Sequence, residues 1–326
     1  MRAAPALLAS VFVVTLLAAL PLALTMRGLI ETHLGRSLMA AQAADGVNWD
    51  WWQEFTSQAT GLGTTLTPSV IGFAATLDSI GGVLDAQPEI LAVAAALATY
   101  LLVWIFLSGG ILDRYARQRP TRAHGFFAAA GVFFWRFLRL GLVAAVVYWF
   151  LFAYVHVWLF DDWYTRATRN LDVERTALLW RAGMYAIFGA LLAAANVVFD
   201  YAKVRLVVED RRSALGALSA SLAFILRNPG RVFCLYALNT GVFLLVVALW
   251  ALAAPGAGDA GASMWLGVLA TQIYIAARLA LKLQFLASQT SLFQRRLAHA
   301  SYTAAPAPAW PEAPAAESIR LKAEVP

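Results

Sequence analysis

Two basic residues stand inside the last hydrophobic segment of the chain. Arg278 and Lys282 lie one helical turn apart in the run 264–288, and at about 100° per residue Thr271 and Gln289 share their helix face. Hydrocarbon does not solvate charge, so a cation there by default marks a functional site or an ion pair. The chemistry that suits these side chains is the binding of an anionic group. The structural alternative is that both long side chains extend to the membrane interface.

Polar residues near the ends of other hydrophobic segments are candidates to meet these cations. The sequence predicts one polar cluster, a candidate substrate or lipid-binding site, formed by Asp113, Asn196, Asp200, Asn239, Arg278 and Lys282. Interhelical hydrogen bonds and ion pairs are each worth about 1 kcal/mol in a membrane, so one interpretation is that the cluster only holds the bundle together. The other is a site for a lipid head group or an anionic substrate.

Other patterns that could support chemistry are weak. The single cysteine, Cys234, excludes an intrachain disulfide and a cysteine-based metal cage. His156 precedes Asp161 and Asp162 at a spacing with no established ligand geometry, which favours a structural histidine over a metal site. No Walker loop, Rossmann fingerprint, G-x-S-x-G elbow or H-E-x-x-H pair occurs in the sequence. We therefore expect no intrinsic catalysis, no metal and no cofactor.

The composition points to a lipid environment. Of the 326 residues, 61% are hydrophobic and 13% are charged, against about 45–50% and about 25% in soluble domains. Runs long enough to cross ~30 Å of hydrocarbon occur near 5–26, 89–112, 140–160, 177–199, 232–253 and 264–288. We predict an all-α polytopic transmembrane bundle of about six helices, with 1–300 as a single integral membrane domain. The first run is longer than a signal-peptide core, which favours an uncleaved anchor, and the Ala/Pro-rich tail 301–326 is expected to be disordered.

The distribution of charge predicts an orientation. Segment 113–139 carries six arginines against one aspartate, 200–231 carries six basic against three acidic residues, and 27–89 carries two basic against seven acidic residues. Basic loops stay in the cytoplasm, so both basic segments and both termini are predicted to face it. The alanine- and arginine-rich composition indicates a bacterial inner membrane. Expected partners are membrane lipids, anionic head groups of the cytoplasmic leaflet and other membrane proteins; without a basic soluble domain, nucleic acid is not expected.

The acidic segment 27–88 is long for a simple connection and is predicted to form interfacial helices on the outer leaflet. It contains four aromatic residues that are predicted to be interfacial anchors, namely Trp49, Trp51, Trp52 and Phe55. Indole rings favour the head-group region because they are apolar and carry one hydrogen-bond donor. An aromatic platform for a sugar or lipid ligand is the alternative.

The two basic segments follow the same plan of an aspartate, a basic stretch and an amphipathic stretch. DRYAR at 113–117 leads to 125–140, and DYAKVR at 200–205 leads to 214–233. Each amphipathic stretch is predicted to form an elbow helix lying in the inner leaflet. A duplicated unit of span, elbow and span would explain the similarity, and so would convergence on inner-leaflet composition.

Small residues recur every fourth position in the fourth hydrophobic run, at Ala182, Ala186, Ala190 and Ala194. Such a face lets a neighbouring helix approach closely. We therefore predict that this face packs at the centre of the bundle.

The stretch DYAKVRLVVEDRRSALGALSASLAFILRNPGRVF (200–233), about a tenth of the chain, resembles uncharacterised multi-span inner-membrane proteins of bacteria. More distantly, it is similar to the membrane domains that accompany some glycerophosphodiester phosphodiesterases. The resemblance implies a helical bundle with amphipathic elbows and assigns no catalytic residue. No segment of this chain corresponds to the soluble phosphodiesterase barrel, so that activity is not implied.

These features predict a non-catalytic integral membrane protein that acts as a lipid-interacting scaffold or as the membrane subunit of a larger assembly. The main alternative is a transporter or lipid-translocating permease whose halves move around the polar cluster. The continuous spans and the charges toward the inner leaflet argue against it. A third hypothesis is a small enzyme acting on lipid head groups, with Asp200 or Asp113 as the acid or base.

Overall fold

The computed structural model describes residues 5–39, 48–65, 81–86, 91–118, 122–253 and 262–296. Within these ranges the chain is helical and contains no β-strand. Six of the described helices are long and apolar enough to cross a membrane. The predicted all-α bundle with about six spans is therefore confirmed, whereas the predicted tail 301–326 lies outside the described residues.

The spans are continuous helices. In chain order the main helices are α1 (Pro5–Leu34), α2 (Trp49–Gln58), α3 (Leu91–Arg117), α4 (Ala123–Thr168), α5 (Glu174–Val208), α6 (Ala214–Arg227), α7 (Pro229–Ala253) and α8 (Ala262–Arg296). Helix α4 is α-helical to Phe150 and has two π-helical stretches, Leu151–His156 and Trp158–Tyr164. Helices α2 and α6 are the short ones, and the other six are the candidate spans.

The larger of two buried clusters lies toward one end of the bundle, which we call the basic end because it carries the segments 113–139 and 200–231. Large side chains of four spans are almost fully buried there, including Ile111, Phe133, Val204 and Phe293. Toward the opposite end the spans expose large apolar side chains, including Leu24, Leu252 and Trp265. Exposed apolar surface of this extent suits contact with lipid chains rather than with water.

Helices α3 and α4 approach each other closely at two adjacent glycines. A Cβ atom added at Gly110 would lie 2.7 Å from the Phe126 carbonyl oxygen, and one at Gly109 would lie 3.0 Å from Phe133 Cβ. Only glycine leaves room for such an approach. This contact holds α3, which contributes to the site described below, against α4.

The two predicted elbows differ. Helix α6 is a separate helix, because Ser213 caps its first turn by accepting from the Gly216 N–H at 3.2 Å and Pro229 begins α7 directly after it. The stretch 125–140 forms no separate helix but is the first part of α4. The prediction of an elbow there is wrong, because no proline or capping residue interrupts the apolar run and the helix continues into the span.

The small-residue face of α5 does not pack at the bundle centre. Ala182, Ala186, Ala190 and Ala194 are exposed, whereas Met184 and Phe188 are buried. The packing prediction is therefore wrong. Phe188 packs against the rings of Phe152 and His156 in α4. In lipid it is side-chain packing of this kind, rather than removal from water, that sets the rotation of α5.

The short helix α2, within the segment 27–88, packs on the end of α1. The His33 ring contacts the rings of Trp51 and Phe55 at centroid distances of 6.0 Å and 5.2 Å, which joins α1 to α2. Phe55 is only 3% exposed, so it packs inside this contact instead of facing the surroundings. Trp49 is 60% exposed and stays a predicted interfacial anchor, as does Trp52.

Candidate functional site

A carboxylate near the basic end of α5 joins three helices. Asp200 Oδ1 accepts from Lys203 Nζ at 2.8 Å, and Asp200 Oδ2 accepts from the Tyr236 hydroxyl at 2.9 Å, Gln289 Nε2 at 3.1 Å and Asn196 Nδ2 at 3.3 Å. Gln289 is fully buried and its Nε2 also lies 2.6 Å from the Tyr236 hydroxyl oxygen. We call these five residues the Asp200 network. It connects α5, α7 and α8.

Four donors occupy both oxygens of Asp200. A buried carboxylate that accepts several hydrogen bonds in this way holds its partners in position. The arrangement suits helix packing better than proton transfer to a substrate, because each oxygen already has a partner. The enzyme hypothesis therefore gains no support from the surroundings of this aspartate.

The other predicted polar residues lie apart from the Asp200 network. Asn239 Nδ2 donates to the Leu235 carbonyl oxygen at 2.9 Å and lies 3.3 Å from Ser288 Oγ, which joins α7 to α8 beside the network. Asp113 pairs within α3, where its Oδ1 accepts from Arg117 Nε at 2.8 Å. The six residues predicted as one cluster are thus divided among several contacts.

Lys282 lies against aromatic residues of α3. Its Nζ is 3.6 Å from the ring centroid of Trp104, 5.2 Å from that of Tyr100 and 3.4 Å from the Tyr100 hydroxyl oxygen. Helices α3 and α8 run in the same direction, since Gln294 Nε2 donates to the Ala116 carbonyl oxygen at 2.8 Å nearer the basic end. Tyr100 is one turn farther from that end than Trp104. The Lys282 side chain therefore lies across α3 and does not extend toward the basic end.

This contact places Lys282 at mid-height in the bundle. Trp104 is the central residue of the 27-residue helix α3, about 20 Å from either end at 1.5 Å per residue. The sequence predicts a position nearer the inner leaflet, because Lys282 lies in the last third of the hydrophobic run 264–288. Helix α8 extends beyond that run toward the basic end, as far as Arg296, so Lys282 lies closer to the middle.

The two cations of α8 lack an acidic partner. Both are exposed, and in the described part of the chain no carboxylate lies within ion-pair distance of either. The Arg278 guanidinium lies 5.6 Å from the centroid of the Tyr274 ring. Lys282 interacts electrostatically with Asp200, but also with Lys203 and Arg278. Since Lys203 already neutralises Asp200, this region carries excess positive charge.

We call Arg278, Lys282, Tyr100 and Trp104 the α3–α8 cation site. The sequence identified both cations but missed the two aromatic residues. Their spacing of four places them on one face of α3, which was the signal available. Tyr236 was missed in the same way, three positions from Asn239 on α7.

His156 has a structural contact at the opposite end of the bundle. Its Nε2 lies 2.8 Å from the Leu84 carbonyl oxygen, and its ring stacks on Phe160 at a centroid distance of 4.5 Å. Asp161 and Asp162 are exposed. Across the described ranges, no group of three or more His, Cys, Asp or Glu side chains is placed to hold a metal ion.

Comparison with models of known protein families, with functionally described proteins and with solved structures found no match to this chain. The resemblance of the stretch 200–233 to bacterial multi-span proteins stays a prediction. The function is therefore inferred from the chemistry of the site.

Proposed function

We propose that this protein is a multi-pass protein of a bacterial inner membrane that binds an anionic lipid at the α3–α8 cation site. In that role it is a lipid-interacting scaffold or the membrane subunit of a larger assembly. The basic end and both termini face the cytoplasm in this proposal, as the arginine distribution indicates. The observation that carries it is the pair Arg278 and Lys282, exposed at mid-height without a carboxylate partner among the described residues.

The chemistry of the pair supports an oxyanion ligand. An uncompensated cation inside a membrane costs about 2.5–3.5 kcal/mol or more, and an anionic head group offsets that cost. Arg278 can donate two parallel hydrogen bonds to a phosphate, and Lys282, one turn away, supplies a second positive charge. The faces of Trp104 and Tyr100 hold the ammonium group by cation–π contact while leaving it accessible.

The test is lipid selectivity in nanodiscs that contain phosphatidylglycerol and phosphatidylcholine in equal amounts. Native mass spectrometry of the released protein should show preferential retention of phosphatidylglycerol. We expect Arg278→Gln/Lys282→Gln to lower that retention about ten-fold, which corresponds to about 1.4 kcal/mol.

The matched control is Arg169→Gln, which removes an exposed arginine at the end opposite the basic end. It should retain the lipid as the wild type does. If the double variant retained phosphatidylglycerol like the control, the α3–α8 cation site would not be the lipid site.

Lipid translocation is the second candidate, and the mid-height position of Lys282 favours it. A head group bound there would lie between the two leaflets, where a permease must stabilise it. Reconstituted vesicles with a fluorescent phosphatidylglycerol in the inner leaflet distinguish the two functions. Movement of the probe to the outer leaflet that is lost in the double variant would indicate translocation, whereas selective retention without movement would indicate a binding role.

A further inference from the structure

The acidic residues of the linker between α5 and α6 are already paired with arginines. Glu209 Oε1 accepts from Arg205 Nη2 at 2.6 Å, and Glu209 Oε2 accepts from Arg211. Burial alone would raise the pKa of Glu209, but the hydrogen bonds from both arginines outweigh it and hold the pKa below its usual value. Asp210 accepts from Arg136 Nη1 at 2.5 Å. Both carboxylates are therefore already engaged in ion pairs with arginines other than Arg139 and Arg212.

Two arginines beside this linker remain without a carboxylate. Arg139 of α4 and Arg212 of the linker are exposed, and neither has a hydrogen bond or ion pair with any other described residue. They line one shallow, largely open recess with a volume of about 480 Å³. The remaining lining residues are Val143, Ser213, Ala214 and Leu215.

The lining combines cationic and apolar surface. Two guanidinium groups can each donate paired hydrogen bonds to phosphate oxygens. Leu215 is 67% exposed, and Val143 lies on the same side of α4 as Arg139, one turn away. Inorganic phosphate would leave these apolar side chains uncovered, whereas a phospholipid covers them with its acyl chains. The recess lies at the basic end, at the level where head groups meet the protein in the proposed orientation.

We propose that the Arg139–Arg212 recess binds an anionic phospholipid of the leaflet at the basic end, with both arginines on the phosphate and with Val143 and Leu215 against the acyl chains. This site shares no residue with the α3–α8 cation site and lies at a different height. It therefore does not depend on the function proposed for Arg278 and Lys282.

The experiment places a photo-reactive benzophenone side chain at Leu215 in the full-length protein. The protein is irradiated in nanodiscs of phosphatidylglycerol or of phosphatidylcholine, and covalent lipid adducts are measured by mass spectrometry. We expect adducts with phosphatidylglycerol, and a yield about ten-fold lower in Arg139→Gln/Arg212→Gln. Arg139→Lys/Arg212→Lys should keep most of the yield because the charges remain. Arg278→Gln/Lys282→Gln should leave the yield unchanged.

Several outcomes would overturn this proposal. They are an unchanged yield in the Arg139→Gln/Arg212→Gln variant, equal adducts with phosphatidylcholine, and crosslinking to a second polypeptide instead of lipid. We expect the Arg139→Gln/Arg212→Gln variant to fold, because the Arg136–Asp210 ion pair is untouched. Equal thermal unfolding temperatures of the variant and the wild type would verify this. Failure of the Arg278 and Lys282 test alone would leave this result intact.

Discussion

At the scale of single residues, Asp200 and Lys282 show two ways in which charge is accommodated in this bundle. Asp200 accepts from four side chains of three helices, so its buried charge is compensated inside the protein. Lys282 has aromatic rings beside it and no carboxylate within ion-pair distance in the described structure. The first arrangement stabilises the fold, and the second leaves charge available to a ligand.

Replacing Asp200 should therefore destabilise the protein. Asp200→Ala leaves the donors of Lys203, Tyr236 and Gln289 without their acceptor, and we expect the free energy of unfolding in detergent to fall by about 2–3 kcal/mol. Asp200→Asn keeps an acceptor and should lose about half as much. Asp162→Ala is the control, because that carboxylate is exposed and its pair with Arg166 should contribute little. Equal stability of Asp200→Ala and the control would show that the network is not stabilising.

At the scale of elements, the contact between α3 and α4 depends on a glycine pair. The Phe126 backbone occupies the space that a side chain at position 110 would need. Because α3 also carries Tyr100 and Trp104, a shift of α3 away from α4 would change the position of these two rings in the α3–α8 cation site.

Gly110→Ala should force the two helices apart. The new methyl group would meet the Phe126 carbonyl oxygen at 2.7 Å, and overpacking of this kind costs about 1–3 kcal/mol. Gly131→Ala is the matched control in α4, since its Cβ would meet nothing within 4 Å. Alanine also favours helix, so the control should be neutral or slightly stabilising. Thermal unfolding in the same detergent compares the two variants, and a fully stable Gly110→Ala protein would contradict the close packing.

The connection between α5 and α6 should be sensitive to acid. The pKa of Glu209 is lowered in the folded protein, so its ion pairs contribute stability above the usual pKa of a glutamate, and this contribution is lost as the pH falls through the lowered value. We expect Glu209→Gln to cost about 1–3 kcal/mol at neutral pH. The difference from the wild type should shrink in acid. Thermal midpoints across a pH series measure it, and a difference that persisted in acid would rule out this role for the carboxylate.

At the scale of the whole molecule, the larger of the two buried clusters in the described residues lies toward the basic end, and the smaller one, around Phe188, lies toward the other end. The two proposed lipid sites fit this division. The Arg139–Arg212 recess lies where the basic segments are, and the α3–α8 cation site lies at mid-height, where the surface becomes largely apolar.

The proposed orientation predicts which loops react from outside. In a Cys234→Ala background, Asn170→Cys should react with a membrane-impermeant maleimide in intact cells, because the end opposite the basic end faces outward. Arg122→Cys should react only after permeabilisation. Both positions are exposed, so a difference in labelling reports the side of the membrane. The reverse pattern would invert the topology and place the recess in the outer leaflet.

The amino-acid sequence was sufficient for the helical class and the number of candidate spans. In hydrocarbon the backbone N–H and C=O groups of a single segment can form hydrogen bonds only within that segment, so a long apolar run forms a helix. The separate helix α6 was also predictable, because Ser213 and Pro229 are local start and stop signals. The α4 elbow was not, since nothing local marks whether an apolar helix turns into the leaflet or continues through it.

Only the tertiary structure decided which polar residues meet. Asp113 and Asp200 both end hydrophobic segments, yet Asp200 joins three helices while Asp113 pairs within its own helix. Hydropathy gives the approximate depth of a residue but not the rotation of its helix, which depends on how neighbouring side chains pack. The same rotation buries Phe188 and exposes the alanines of α5. It also places Lys282 against Trp104, a contact that no pattern within either segment could specify.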